Sequence, residues 1–346
     1  MDSITQALLG ASVQGAMLGR WQGRKALAYG AVLGTLPDLD VVIDYGDAVA
    51  NMTYHRGFSH SLFVLSIVAV LLTWLIRRFR PDERYSGTRL FLTIWLVLVT
   101  HVLLDAFTSY GTQLLWPLTT PPIAWSSIFI IDPLYSVPLL IAVLAGALFG
   151  LHGRTARWPA YALVLTTCYL GFTLAGKQMA EQRVQASITR QGIEVERMFS
   201  TPTPFNSLLW RVILVDGEHY YETLVSWWDD APPALVRLPR NAHLADALDG
   251  SPQHERLRWF SGDVLRYDVD GDQLLVTDLR LGMTGFHPFR FPLAERGAEG
   301  WQLVERPERL PANRGDMRRL ESIWQRIWQQ PAAGVPAAMQ PAAGAQ

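Results

Sequence analysis

The first 176 residues hold a succession of apolar stretches, separated by short segments in which arginines gather. Few folds are open to such a chain. A backbone inside hydrocarbon must satisfy its own N–H and C=O groups, and a helix needs about 20 mostly apolar residues to cross. Six segments fit, near 3–19, 26–43, 61–76, 90–108, 123–150 and 158–176. The first is rich in Gly and Ala and the least apolar, and the fifth is interrupted at Asp132-Pro133. The expected fold class is a membrane α-helical bundle of about six spans, followed by a strand-rich α+β soluble domain.

Basic residues orient the bundle, because they are retained on the cytoplasmic side. Arg20, Arg24 and Lys25 lie between the first two segments. Arg77, Arg78, Arg80, Arg84 and Arg89 surround the loop between the third and fourth, and Arg154 and Arg157 sit between the fifth and sixth. The alternate loops hold Arg56 and, from 109 to 122, neither Lys nor Arg. Both ends of this half are expected outside, which makes the chain a multi-pass protein of the bacterial inner membrane with a periplasmic C-terminal domain. Asp2 stands where a secretory signal carries basic residues, so the opening stretch reads as retained rather than cleaved.

After Gly176 the pattern changes. Residues 177–191 read as a polar helix leaving the membrane, and SLLWRVILV, HYYETLVSWW, QLLVTDLRL and GWQLVE read as short strands between turns. Residues 315–329 set Met317, Leu320, Trp324, Ile327 and Trp328 on one helical stripe. The closing PAAGVPAAMQPAAGAQ is of low complexity. The expected division is a membrane domain at 1–177, an extracytoplasmic soluble domain at 178–330 and a disordered tail at 331–346. Composition agrees with a split chain: 49% hydrophobic and 18% charged residues, with a mean hydropathy of +0.12, suit neither a soluble protein nor one wholly inside lipid. A net charge of -1 without any basic tract excludes nucleic acid as a partner. The single cysteine, Cys168, excludes a disulfide framework and a thiolate metal site.

Ionisable residues inside membrane segments are costly and point to function. They gather in Asp2 to Gln6 of MDSITQALLG, Asp38 and Asp40 of GTLPDLD, His55, Arg56, His60 and Ser61 of YHRGFSHSL, and His101 and Asp105 of HVLLDAFTSYG. Asp132 in IIDPLY is a fifth candidate. Under the orientation above, all fall at the outer ends of their segments. His101 and Asp105, four residues apart, share a helix face, and His55 and His60 flank a turn at Gly57. Imidazoles and carboxylates without thiolates suit Zn²⁺ or Mn²⁺. His55, His60, His101 and Asp105 are the favoured ligands, with Asp38 or Asp40 bridging a second ion or acting as base. Arg56 would meet an anionic oxygen such as a phosphate, which its planar fork suits. The plainer readings are helix caps for Asp38 and Asp132, a solvated loop charge for Asp44 and a headgroup anchor for Arg56. His152, His219, His243, His254 and His287 lack ligand-like spacing and read as surface or structural.

In the order DSITQALLG, TLPDLD, HRGFSHSL, HVLLDAFTSYGTQLLWP and IIDPLY, the first 150 residues resemble the membrane-bound, metal-dependent hydrolase family typified by the YdjM-like proteins. PTPFNSLLWRV at 202–212 is similar to a downstream segment of its longer members. The family is regarded as hydrolytic because its His/Asp pattern is similar to that of zinc-dependent phospholipase C enzymes. The resemblance implies metal-binding roles for Asp38, His55, His60, His101 and Asp105. Gln6 stands where many members carry a His.

The expected function is metal-dependent hydrolysis at the periplasmic face, with Zn²⁺ or Mn²⁺ as cofactor, the lipid bilayer as surroundings and a phosphoester or lipid headgroup as substrate. The competing expectation is a non-catalytic membrane protein with a structural or sensing metal site, whose C-terminal domain binds an envelope partner. A transporter would carry charges at mid-span and paired repeats; here the charges sit at segment ends and no repeat is visible.

Overall fold

The computed structural model describes residues 1–311 and 317–330, so the tail expected at 331–346 lies outside the described residues. The chain divides into two compact units, one made of Met1–Ile43 and His55–Thr173, the other of Asp44–Tyr54 and the residues from Leu174 onward. The first unit is helical, with α1 (Ser3–Gln22) and α2 (Lys25–Thr35) leading it. The next helix, α3 (Ala48–Tyr54), belongs to the second unit. The first unit resumes with α4 (Leu62–Phe79), α5 (Gly87–Ala106), α6 (Pro133–Phe149) and the opening half of α7 (Trp158–Gln191).

Among the described residues three helical stretches are long and apolar enough to cross a membrane: Leu62–Phe79, Gly87–Ala106 and Thr155–Gln191. Pro133–Phe149 is a shorter apolar helix. The expectation of about six spans is therefore not met, and each shortfall has a local cause. Helix α1 carries Gly, Ala, Ser and Gln along its length and turns much of its surface into the bundle, where it packs on α2, α5 and α6. The second expected segment ends early because Pro37 has no N–H to give to the Leu33 carbonyl, and the chain tightens into a 3₁₀ helix, Pro37–Val42. The fifth begins only at Pro133, where Asp132 caps the new helix by accepting from the N–H groups of Leu134 and Tyr135 at 2.9 and 3.4 Å.

Two packing features of this unit set where its buried histidines and aspartates stand. Helices α1 and α2 meet backbone to backbone, since a Cβ at Gly10 or Gly30 would collide with the carbonyl oxygen of the other. Helix α4 starts at a Ser61 cap, ends on Arg77 and Arg78, and returns through a short loop to α5, which packs against it. That hairpin leaves Arg77, Arg78, Arg80, Arg84 and Arg89 at its loop and brings His60 and Asp105 together at its other end.

The second unit, among its described residues, holds two four-stranded antiparallel sheets. The first runs β1 (Arg197–Pro202), β2 (Leu209–Asp216), β3 (His219–Ser226), β4 (Val236–Pro239); after α8 (Pro252–Ser261), the second runs β5 (Leu265–Asp270), β6 (Gln273–Asp278), β7 (Arg290–Gly297), β8 (Gly300–Leu303). Strand β2 is buried on both faces. Trp210, Val212 and Leu214 pack on Ala180, Val184 and Ile188, one stripe of α7, while Ile213 and Val215 face Tyr220, Val264 and Leu279. Arg211, on that second face, makes a two-bond pair with Glu222, both at 2.9 Å. The closing helix, α9 (Met317–Trp328), buries Ile323 and Ile327 against Leu209 and Leu224 and leaves Trp324 and Trp328 exposed. Helix α3 is held here by Arg256, which donates to Thr53 at 2.7 Å and lies over the Tyr54 ring.

Candidate metal centre

Four side chains of the first unit converge: Asp38 from the 3₁₀ helix, His60 from the short turn Phe58–His60 before α4, and His101 and Asp105 from one face of α5. Asp38 and Asp40 are two residues apart on a 3₁₀ helix, a rotation of about 240°, so their carboxylates diverge. Asp38 reaches the two imidazoles; Asp40 turns to His55, Arg56 and Ser59.

The hydrogens on the imidazoles can be assigned by counting donors. A carbonyl oxygen only accepts, so the 2.6 Å contact of His101 Nδ1 with Gly34 O means that Nδ1 carries the hydrogen. Its Nε2 faces Asp38 and Asp105, and this buried atom has no hydrogen-bond partner among the described residues. Ser59 spends its only hydrogen on Asp40 at 2.6 Å, so at 2.9 Å it must accept from His60 Nδ1. That again leaves Nε2 of His60 facing inward. Asp105 is prepared in the same sense. Its Oδ1 receives the Met1 amino group, the Gln6 amide at 3.0 Å and the Arg56 guanidinium at 3.3 Å, while Oδ2 turns to the imidazoles.

Four of the six separations among the inward atoms fit an ion. His60 Nε2 stands 3.2 Å from Asp105 Oδ2 and 3.4 Å from Asp38 Oδ1, and His101 Nε2 stands 3.5 and 3.4 Å from the same atoms. The His60–Asp105 contact is within hydrogen-bond reach, while the other three are well beyond the about 2.7–2.9 Å of a charge-assisted N–H···O bond. Donors about 2.0–2.1 Å from a shared tetrahedral ion lie roughly 3.3–3.4 Å apart along its edges. With two carboxylates and two inward imidazole nitrogens, one of them without a hydrogen-bond partner among the described residues, the residues present fit a divalent cation. His60, His101 and Asp105 are buried, and Asp38, with 19% of its side chain exposed, is the member open to solvent.

The other sequence candidates lie around this group. His55, expected as a ligand, stands outside the four: its Nδ1 is 2.9 Å from Asp40 Oδ1, its ring centre is 6.0 Å from that of His60, and 22% of its side chain is exposed. Asp40, expected to bridge a second ion or act as base, has both oxygens taken, Oδ1 by His55 and Oδ2 by the Arg56 N–H and Ser59. Arg56 is buried at a φ of 62°, with its guanidinium on Thr108 and Asp105 and over the Tyr110 ring. Asp2 and Asp132 are helix caps and Asp44 is an exposed turn residue. Ser61 caps α4 and donates to the Trp116 carbonyl. Neither Ser59 nor the Gly34 carbonyl stands out in the sequence; a hydroxyl directly before His60 is the available signal for the first, and a backbone oxygen leaves none.

A family model described as YdjM inner membrane protein matches residues 1–180, a stretch that contains the whole group. The chain belongs to this family. It is 26% identical over 231 residues to the protein YfhP of Bacillus subtilis (strain 168), covering 64% of this chain and 67% of that one. Over 96 residues it is 36% identical to the inner membrane protein YbcI of Escherichia coli (strain K12), covering 27% of this chain and 54% of YbcI, so it spans about half of that relative. No solved structure matches the chain.

Proposed function

We propose that this YdjM-family protein is a metal-dependent hydrolase whose site opens on the periplasmic side of the inner membrane. The observation that carries the reading is the quartet of Asp38, His60, His101 and Asp105, with both imidazole Nε2 atoms turned toward two carboxylates. The outer-face assignment is supported by the α4–α5 hairpin, whose five arginines sit at the end opposite the quartet. A divalent ion held there would supply Lewis acidity toward a phosphoryl or carbonyl oxygen and would lower the pKa of water beside it.

The chain's own groups divide the remaining work. Asp38 marks the side on which solvent and substrate reach the quartet. His55, partly exposed and backed by Asp40, keeps its Nε2 for taking or giving a proton next to the site. Arg56 is the neighbouring cation, and its Nε has no hydrogen-bond partner among the described residues; we assign it to an anionic oxygen of a phosphoester or lipid headgroup. The number of protein donors favours a second reading. Four ligands close a tetrahedron, as structural ions do, whereas catalytic sites keep a position open.

Exchange kinetics and activity separate the two. Detergent-purified protein would be stripped with a chelator, reloaded with Zn²⁺ or Mn²⁺, and tested on phosphomonoester, phosphodiester and phospholipid substrates. Hydrolysis that returns with the ion, and disappears in a His55→Ala variant that still binds it, is the expected result. An ion that exchanges slowly and supports no hydrolysis of any of these substrates would favour the structural reading.

A further inference from the structure

A partly buried chain of polar atoms leads away from the quartet on the His60 side. His60 Nδ1 donates to Ser59 Oγ at 2.9 Å, Ser59 donates to Asp40 Oδ2 at 2.6 Å, and Asp40 Oδ1 accepts from His55 Nδ1 at 2.9 Å. The Arg56 N–H joins at Asp40 Oδ2, 3.1 Å away. Each direction follows from what the carboxylate can do: it only accepts, so the Ser59 hydrogen points to it and the Ser59 lone pairs remain for His60. His101 is fixed differently, by the backbone carbonyl of Gly34.

We propose that Ser59 and Asp40 are positioning residues for His60, forming a hydroxyl–carboxylate relay that holds the hydrogen on Nδ1 and turns Nε2 into the quartet. An imidazole without that acceptor is free to place its hydrogen on Nε2, where it blocks the lone pair an ion requires. The relay accounts for Asp40 lying beside the quartet with its oxygens saturated, and for the left-handed backbone at Arg56, which carries its N–H onto Asp40 and its carbonyl onto the Gln113 N–H at 3.0 Å. Strained backbone of this kind persists where surrounding bonds hold it. The consequence for metal binding rests on the proposed ion site; the tautomer does not.

The test reads both quantities on the full chain in detergent. Histidine-selective ¹⁵N labelling reports which ring nitrogen of His60 bears hydrogen, with the resonance identified by its loss in His60→Ala. Affinity for Zn²⁺ is measured alongside by chelator competition. Wild type is expected to carry hydrogen on Nδ1 of His60. Ser59→Ala should shift it toward Nε2 and weaken Zn²⁺ binding by about 10–100-fold, the usual cost of losing an outer partner of a ligating His. Ser59→Thr should restore both. If Ser59→Ala does not fold, Ser59→Cys, a weak acceptor of similar size, should give the same shift. An unchanged His60 tautomer in a folded variant lacking the hydroxyl overturns the relay, whatever the ion does. A tautomer that follows Ser59 in a wild-type chain that binds no Zn²⁺ leaves the relay standing and removes the metal reading instead.

Discussion

His101 Nδ1 donates to the carbonyl oxygen of Gly34 at 2.6 Å, so the backbone of α2 sets the direction of an imidazole on α5. The same glycine lies under α1, where a Cβ would meet the Gln6 carbonyl oxygen at 2.6 Å and Gly10 Cα at 3.1 Å. One position therefore fixes both helix packing and the quartet.

Gly34→Ala is accordingly expected to push α1 from α2 and to disturb both the acceptor for His101 and the Gln6 amide on Asp105. Overpacking of this kind costs about 1–3 kcal/mol, and metal affinity should fall with it. Gly171→Ala, in open space on α7, should be neutral or mildly stabilising because alanine is the better helix former. Thermal unfolding and metal titration of the two variants check this; equal behaviour would mean the α1–α2 contact does not support the site.

Membrane topology gives a second prediction. Reporter fusions after Asp82 and Arg154 should behave as cytoplasmic, and fusions after Gly111 and Asn206 as periplasmic, because the arginines flank the first pair. A cytoplasmic signal at Asn206 would detach the site from the outer face.

The second unit carries a pH signature at His287. Burial, then the charges of Arg211 and Arg266, push its imidazole down to about 3, against about 6.5 in an unfolded chain. Between those values the unfolded chain binds a proton that the folded one refuses. The stability involved is complete above about pH 6.5 and is lost as pH falls toward 3, with a slope of at most about 1.4 kcal/mol per pH unit. His287→Gln should flatten that slope in denaturation series at pH 7, 6 and 5. An identical slope in variant and wild type would contradict the assignment.

How far the sequence was legible depended on how local the cause was. His101 and Asp105 could be read together because four residues on one helix fix a shared face. Asp38 and Asp40 could not be told apart, since their divergence follows from a 3₁₀ turn forced at Pro37. His55 and His60 look equivalent in YHRGFSHSL, and only the folded turn gives one to Asp40 and the other to the quartet. The count of apolar segments overshot because α1 is buried among helices rather than exposed to lipid along its length. The place of α3 in the second unit depends on Arg256, about two hundred residues away, and no local pattern carries it.

Whether Asp38, His60, His101 and Asp105 hold a divalent ion is measured most directly as metal content, by elemental analysis after exhaustive dialysis. The wild-type chain should retain a divalent ion, and His60→Ala, His101→Ala and Asp105→Asn should each lose it. His219→Ala and His243→Ala, in the second unit, should keep the wild-type content. Equal metal in the three ligand variants and wild type, or none in any of them, would contradict a metal centre at the quartet.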